Sequence, residues 1–214
     1  MIEVPQFFIA RGTKTMKNFL NYQSTEYDCG PVSLMNGVRY LFEREEIYPD
    51  VVKFIMLYCM DKYNENGELC KSGTSHSVMK FLSNWMNHFS EIKNFPIHCE
   101  YFVDEEVVFG PKSPITKELK NGAAVVLHVH LDVWHYVLLT GIEDDKAYIF
   151  DPYYEDEESY PRDPHYIDDA IQFVFDQPKK YNRIVSVKRL SQTNLDYYAM
   201  GPTNNRIAVV MKRK

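Results

Sequence analysis

The sequence has no excess of basic charge, which argues against one large class of binding proteins. Its 214 residues include 24 Lys and Arg against 30 Asp and Glu, for a formal net charge of −6. A nucleic-acid-binding surface needs concentrated positive charge to meet the phosphates. The only dense basic stretch is MKRK at 211–214, which is typical of a solvated chain end. We therefore expect no nucleic-acid partner.

Long apolar runs are also lacking. No stretch approaches the roughly 18 apolar residues that a membrane-spanning helix requires. The N-terminal stretch 1–17 does not resemble a signal peptide, because it has no basic leader and Glu3 and Arg11 interrupt its apolar residues. We expect a cytoplasmic protein without a membrane span.

Cysteine is scarce, and its spacing fits no metal site. The four cysteines form no CxxC pair and no Cys/His cluster at zinc-finger spacing. His128, His130 and His135 lie close together in sequence, but histidines on a strand face are more often hydrogen-bonded cleft residues than metal ligands. We expect reduced thiols, no metal and no cofactor. The cysteines are Cys29, Cys59, Cys70 and Cys99.

The first half of the chain has apolar residues at helical spacing. This spacing predicts helices over 29–45, 49–63 and 73–89, and a short helix over 113–122 that Gly122 closes. Pro31 suits a first helical turn, so Cys29 lies at or just before a helix N-terminus. Side chains suited to capping are Asp28, Asp50 and either Thr74 or Ser75.

The second half changes to the pattern of strands. Apolar and β-branched runs between turn signals predict a compact antiparallel sheet. Helices followed by strands indicate an α+β fold, which we expect to form a single domain over 1–214. The segment 166–176 is compatible with a helix or a strand, and 153–165 is an acidic loop. Strands are predicted at 97–103, 123–131, 134–142, 146–151, 183–190 and 206–213, with an extended lead-in at 4–10.

Cys29 has the position that a nucleophilic thiol requires. The thiolate is the attacking species, and the partial positive charge at a helix N-terminus favours it. A nearby imidazole must complete the activation, and a third group must orient that imidazole. By itself, a cysteine at a helix start is more often a packed thiol.

His135 and Asp151 are the candidate partners. His135 begins one buried strand and Asp151 ends the next, so antiparallel pairing brings them side by side. His130 is the rival base. Asp28 is the alternative anion, but it adjoins the thiol and would raise its pKa. Gln23, six residues before Cys29, carries an amide that can donate to an oxyanion beside the Cys29 N–H.

These residues resemble papain-like cysteine peptidases. Several short motifs are similar to those of the double-glycine leader peptidases, which process bacteriocins and are often fused to export ATPases. The resemblance covers about 20–152, and we expect the tail 153–214 to cover the cleft or bind a partner. The motifs are YDCGPVSL, GTSHSVMKFL, LKNGAAVVLHV, HYVLLTG and YIFDPYY.

The resemblance implies a papain-like fold and a thiol peptidase. It implies Cys29 as nucleophile, His135 as general base, Asp151 as its orienting carboxylate and Gln23 as oxyanion donor. The implied substrate is a leader peptide cut after Gly-Gly, with an exporter or precursor peptide as partner. Two alternatives stay open: an acyltransferase that passes the same thioester to an amine, and an inactive module that binds a leader peptide without cutting it.

Overall fold

A computed structural model describes residues 18–156 and 169–214 of the chain. In these ranges a seven-stranded antiparallel sheet separates two hydrophobic clusters. The first three helices cover one face of the sheet, and the two short helices that come later in the chain lie on the other face. The helices are α1 Cys29–Leu41, α2 Pro49–Tyr58, α3 His76–Lys93, α4 Pro114–Lys120 and α5 Val187–Leu190.

The predicted helices are present, with differences at their ends. Helix α2 stops at Tyr58, before the predicted residue 63, and Asp50 lies in its first turn while Tyr48 is the cap residue. Helix α3 starts after Ser75, whose hydroxyl accepts a hydrogen bond from the Val78 N–H at 3.2 Å. It runs past residue 89 until Asn94 adopts a left-handed conformation, which ends a helix.

The predicted strands form one sheet in the order β1-β7-β2-β3-β4-β6-β5. The segment 183–190 divides into a strand and one helical turn, because the Ser186 hydroxyl caps the Arg189 N–H. The ambiguous segment 166–176 contains a three-residue strand. The lead-in 4–10 and most of the acidic loop lie outside the described residues. The strands are β1 Ile97–Val103, β2 Ala124–Leu131, β3 Val133–Glu143, β4 Lys146–Phe150, β5 Ile171–Phe173, β6 Arg183–Ser186 and β7 Ile207–Arg213.

The last strand of the chain is an interior strand of this sheet. Strand β7 lies between β1 and β2, where Val209 pairs with Tyr101 on one side and with Val126 on the other. The expectation that the final strands cover the cleft is wrong for β7, because it is an interior strand of the sheet, paired on both sides. The single domain predicted for 1–214 remains a prediction.

Helix α1 packs closely on this central strand. A side chain at Gly37 would overlap the Met211 Cε atom, so the absence of a Cβ allows the helix to approach the sheet. Within the described ranges, no helix is both long and apolar enough to cross a membrane.

We predict that Val209→Ala lowers the free energy of unfolding by about 2 kcal/mol, because it removes buried methyl groups from an interior strand of the sheet. Chemical denaturation measures the loss. Val108→Ala is the matched control, because Val108 is exposed, and its effect should stay within about 0.5 kcal/mol. Equal effects of the two substitutions would contradict the buried, interior position of β7.

Candidate active site

The site forms where two neighbouring strands stop pairing. Strand β3 pairs with β4 from Leu138 onward, while its first half pairs with β2 alone. The N-terminus of α1 lies against this first half, where the Ser33 hydroxyl donates to the Tyr136 carbonyl at 2.9 Å. This contact holds the start of α1 beside His135.

His135 and Asp151 are joined by a short hydrogen bond. The His135 Nε2–H donates to Asp151 Oδ1 at 2.8 Å, and both side chains are buried. The antiparallel register explains the contact, because Leu138 pairs with Phe150 and Asp151 follows directly. The neighbours expected from strand order are therefore in contact.

Cys29 lies on the other side of the imidazole. It is the first residue of α1, it is buried, and His135 is the neighbouring group that most strongly lowers the pKa of its thiol. Since Nε2 is engaged with Asp151, Nδ1 is the ring nitrogen left to exchange a proton with the sulfur. Thiol, imidazole and carboxylate therefore form a continuous row.

The charges in this row favour an ion pair. Burial has the largest effect on the pKa of the Cys29 thiol and raises it, and attraction to the His135 imidazolium is the strongest opposing effect. Hydrogen bonds from His135 and the Tyr136 backbone act in the same direction, so the pKa is lowered overall. The arrangement therefore stabilises a thiolate next to an imidazolium.

The pKa values of His135 and Asp151 also shift in the directions that a thiolate–imidazolium pair requires. Burial lowers the pKa of His135, but the negative charges of Asp151 and Cys29 raise it well above its usual range. Burial is the largest effect on the pKa of Asp151 and raises it, but the charge and hydrogen bond of His135, the Arg183 charge and the Tyr198 hydrogen bond together lower the net pKa. The carboxylate stays ionised behind the imidazole.

Gln23 lies in the loop that leads to Cys29. Its backbone N–H donates to the Pro152 carbonyl at 2.8 Å, which ties this loop to the residue after Asp151. Its side-chain Nε2 donates to the Thr25 carbonyl at 2.9 Å, and its buried Oε1 has no partner among the described residues. An amide nitrogen carries two protons, so one remains for a further acceptor.

Asp28 has a different role from the helix cap that the sequence suggested. It occupies the cap position of α1, but its side chain makes no hydrogen bond to the helix. The carboxylate turns back and accepts from the Ser24 N–H at 3.1 Å and from the Thr25 N–H at 2.9 Å. It therefore orders the loop before Cys29.

Three residues near the site were not anticipated, and all lie in the tail. The Asn182 side chain accepts from the Asp151 N–H at 2.7 Å and donates to the Asp151 carbonyl at 2.8 Å. The Tyr198 hydroxyl donates to Asp151 Oδ2 at 2.6 Å. The guanidinium of Arg183 reaches the same hydroxyl, with Nε donating at 3.2 Å. No sequence motif marks these positions.

The two histidines of β2 lie in an aromatic cluster with Trp134. His128 stacks on Trp134 with ring centres 4.8 Å apart, and His130 meets the same ring edge-on. Burial lowers the pKa of His128 to about 3, and nearby His76 adds to the effect. In 18–156 and 169–214, no group of three or more His, Cys, Asp or Glu residues is arranged to hold a metal ion.

The structure has the papain-like α+β fold. Its helices pack on an antiparallel sheet, and a thiol at a helix start lies beside an imidazole on a strand. The sequence model of the Peptidase_C39-like family matches residues 16–183. The chain therefore belongs to this family. The match ends within the tail, at the first residue of β6.

Comparison with individual proteins adds a more distant similarity. One solved structure similar to this chain is a double-glycine motif protease from an AMS/PCAT transporter in complex with the leader peptide. The two are 14% identical, the match covers 94% of this chain and 96% of the other, and the TM-score is 0.43. No curated protein sequence matches the chain significantly.

We predict that iodoacetamide alkylates Cys29 rapidly at a pH well below 8.5, where an ordinary thiol is protonated. The rate should fall only as the pH drops through the lowered thiol pKa. His135→Ala removes the imidazolium but leaves the burial, so the rate at pH 6 should fall by at least about tenfold. Mass spectrometry of the Cys29 peptide measures the rate.

The control is His88→Ala, because His88 is exposed on α3, and this variant should react as the unmodified protein does. A pH profile of an ordinary thiol in the unmodified protein would contradict the ion pair.

Proposed function

We propose that the chain is a cysteine peptidase that cleaves a peptide bond through Cys29, His135 and Asp151. One observation carries this proposal: a buried thiol at the start of a helix has its pKa lowered by an imidazole whose Nε2 is held by a buried carboxylate. Membership of a peptidase family supports the same activity. An inactive binding module would have no need for a thiol with a lowered pKa.

In the first step the Cys29 thiolate attacks the carbonyl carbon of the scissile peptide bond. The oxyanion that forms needs donors aimed at it. As the first residue of α1, Cys29 has an N–H without an acceptor inside the helix. We propose the second amide proton of Gln23 as the other donor.

In the second step the tetrahedral intermediate collapses. His135 gives its proton to the leaving amine, the carbon–nitrogen bond breaks and a thioester forms on Cys29. His135, now neutral, takes a proton from water, which attacks the thioester and releases the acid product. Asp151 keeps the imidazole oriented through both proton transfers.

We propose a peptide substrate cut after small residues, with Gly-Gly as the first candidate. This rests on the motif resemblance, and it agrees with the leader peptide bound by the double-glycine motif protease. A precursor-peptide or exporter partner and a cytoplasmic location remain predictions from the sequence. Transfer of the acyl group to an amine uses the same thioester, so the acceptor decides between hydrolase and acyltransferase.

We predict that the protein cleaves a synthetic precursor-like peptide after a Gly-Gly pair and leaves the Val-Val counterpart largely uncut. Cys29→Ala should reduce cleavage by about a thousandfold or more, because the nucleophile is lost. Liquid chromatography with mass spectrometry measures the products, and Cys70→Ser is the thiol control, expected to retain activity.

Adding a primary amine separates the two enzyme reactions. A hydrolase should release mainly the free acid, while an acyltransferase should form mainly the amide. A peptide that binds but stays intact in the presence of the unmodified protein would contradict both and favour the binding module.

A further inference from the structure

The Asp151 carboxylate is held on both of its oxygens. Oδ1 accepts from His135 Nε2 and from the Tyr153 N–H, each at 2.8 Å. Oδ2 accepts from the Tyr198 hydroxyl at 2.6 Å. The carboxylate is completely buried, so water does not replace a donor that is lost.

Tyr198 is presented to Asp151 by an uncommon backbone conformation. Its φ is +62°, a left-handed value that bulky residues rarely adopt. Two hydrogen bonds fix this point of the chain to the end of β2, from the Tyr198 N–H to the His130 carbonyl at 2.8 Å and from the His130 N–H to the Ala199 carbonyl at 2.9 Å. Such conformations persist where the surroundings enforce them, often near functional sites.

A buried guanidinium sets the direction of the Tyr198 hydroxyl proton. Arg183 is 1% exposed and its Nε–H donates to the Tyr198 oxygen at 3.2 Å. The guanidinium also lies over the Phe173 ring, 3.8 Å from its centre. Because the oxygen accepts from Arg183, its own proton is directed at Asp151. Tyr198 therefore bridges a buried cation and a buried anion.

We propose that Tyr198 is a positioning residue, which holds Asp151 Oδ2 so that the carboxylate remains ionised and its Oδ1 stays aimed at His135. This inference rests on the proposed function, because Tyr198 would act through the same row of Cys29, His135 and Asp151. Tyr198 lies beyond residue 183, where the family match ends. The tail thus supplies a working part of the candidate site.

The pH dependence of the Cys29 alkylation rate distinguishes a positioning role of Tyr198 from a merely structural one. The titratable groups around Asp151 are Cys29 from α1, His135 from β3, Arg183 from β6 and Tyr198 itself. Losing a donor to a buried carboxylate makes the ionised form less favourable. Removing the Tyr198 hydroxyl therefore has its effect at acid pH, because Asp151 becomes protonated at a higher pH. It does not cause a uniform decrease in the alkylation rate.

The test is the pH profile of Cys29 alkylation by iodoacetamide in Tyr198→Phe. We expect the acid limb to shift by up to about one pH unit, with near-normal rates at neutral pH. Tyr197→Phe is the matched control, because the Tyr197 hydroxyl bonds to Asp132, and its profile should match that of the unmodified protein. An unchanged limb in Tyr198→Phe, or an equal shift in Tyr197→Phe, would overturn the proposal.

A double-variant cycle tests whether Tyr198 acts through Asp151. In an Asp151→Asn background there is no carboxylate to hold, so adding Tyr198→Phe should not change the profile further. A further, additive loss in that background would show a structural role and overturn the proposal.

Failure of the proposed function has a separate signature, namely an ordinary thiol profile in the unmodified protein. The His135 ring titration, followed by NMR, then replaces alkylation as the readout. It should move in Tyr198→Phe and stay unchanged in Tyr197→Phe, and no difference between the two variants would overturn the inference.

Discussion

A buried negative charge is the constraint around which the candidate site is organised. An isolated carboxylate in a protein interior is very unfavourable unless donors or opposite charges compensate it. Asp151 is completely buried, and it stays ionised because an imidazolium, a phenol hydroxyl and a backbone N–H converge on its two oxygens. Each donor comes from a different part of the chain, so ionisation of Asp151 depends on the assembled fold.

The sheet topology explains why the tail takes part. Strand β6 pairs with β4, whose last residue precedes Asp151, so residues at the start of β6 lie beside that carboxylate. Asn182 uses this proximity to bind both backbone groups of Asp151. The tail extends beyond the region of the motif resemblance, yet it joins the same sheet and contacts the same side chain.

Sequence patterns predicted most elements, because those elements are encoded locally. The alternation in 97–103 and the apolar stripe that follows Cys29 each give one interpretation, and both match the structure. The pairing of His135 with Asp151 also followed from local features, since two close-set strands with a tight turn fix their own register.

The features that escaped prediction depend on contacts between distant segments. In the sequence Arg183 has the pattern of an ordinary surface residue, whereas in the structure it is buried, with its guanidinium over the Phe173 ring and hydrogen-bonded to Tyr198. The left-handed backbone of Tyr198 depends on hydrogen bonds to β2, nearly seventy residues earlier. Asp28 was assigned to the helix because nothing in the sequence shows that the loop before it folds back.

Comparison of two thiols within the chain shows which factor lowers the pKa of one and not of the other. Cys59 is as deeply buried as Cys29, but it lies at the C-terminal end of α2, and burial raises its pKa to about 12. Cys29 is at the opposite pole of a helix, where the dipole favours an anion, and it has an imidazolium partner. Burial alone suppresses ionisation, so the neighbouring charge decides the outcome. Helix position and a partnered histidine were both visible in the sequence, which is why Cys29 could be singled out among the four cysteines before the structure was known.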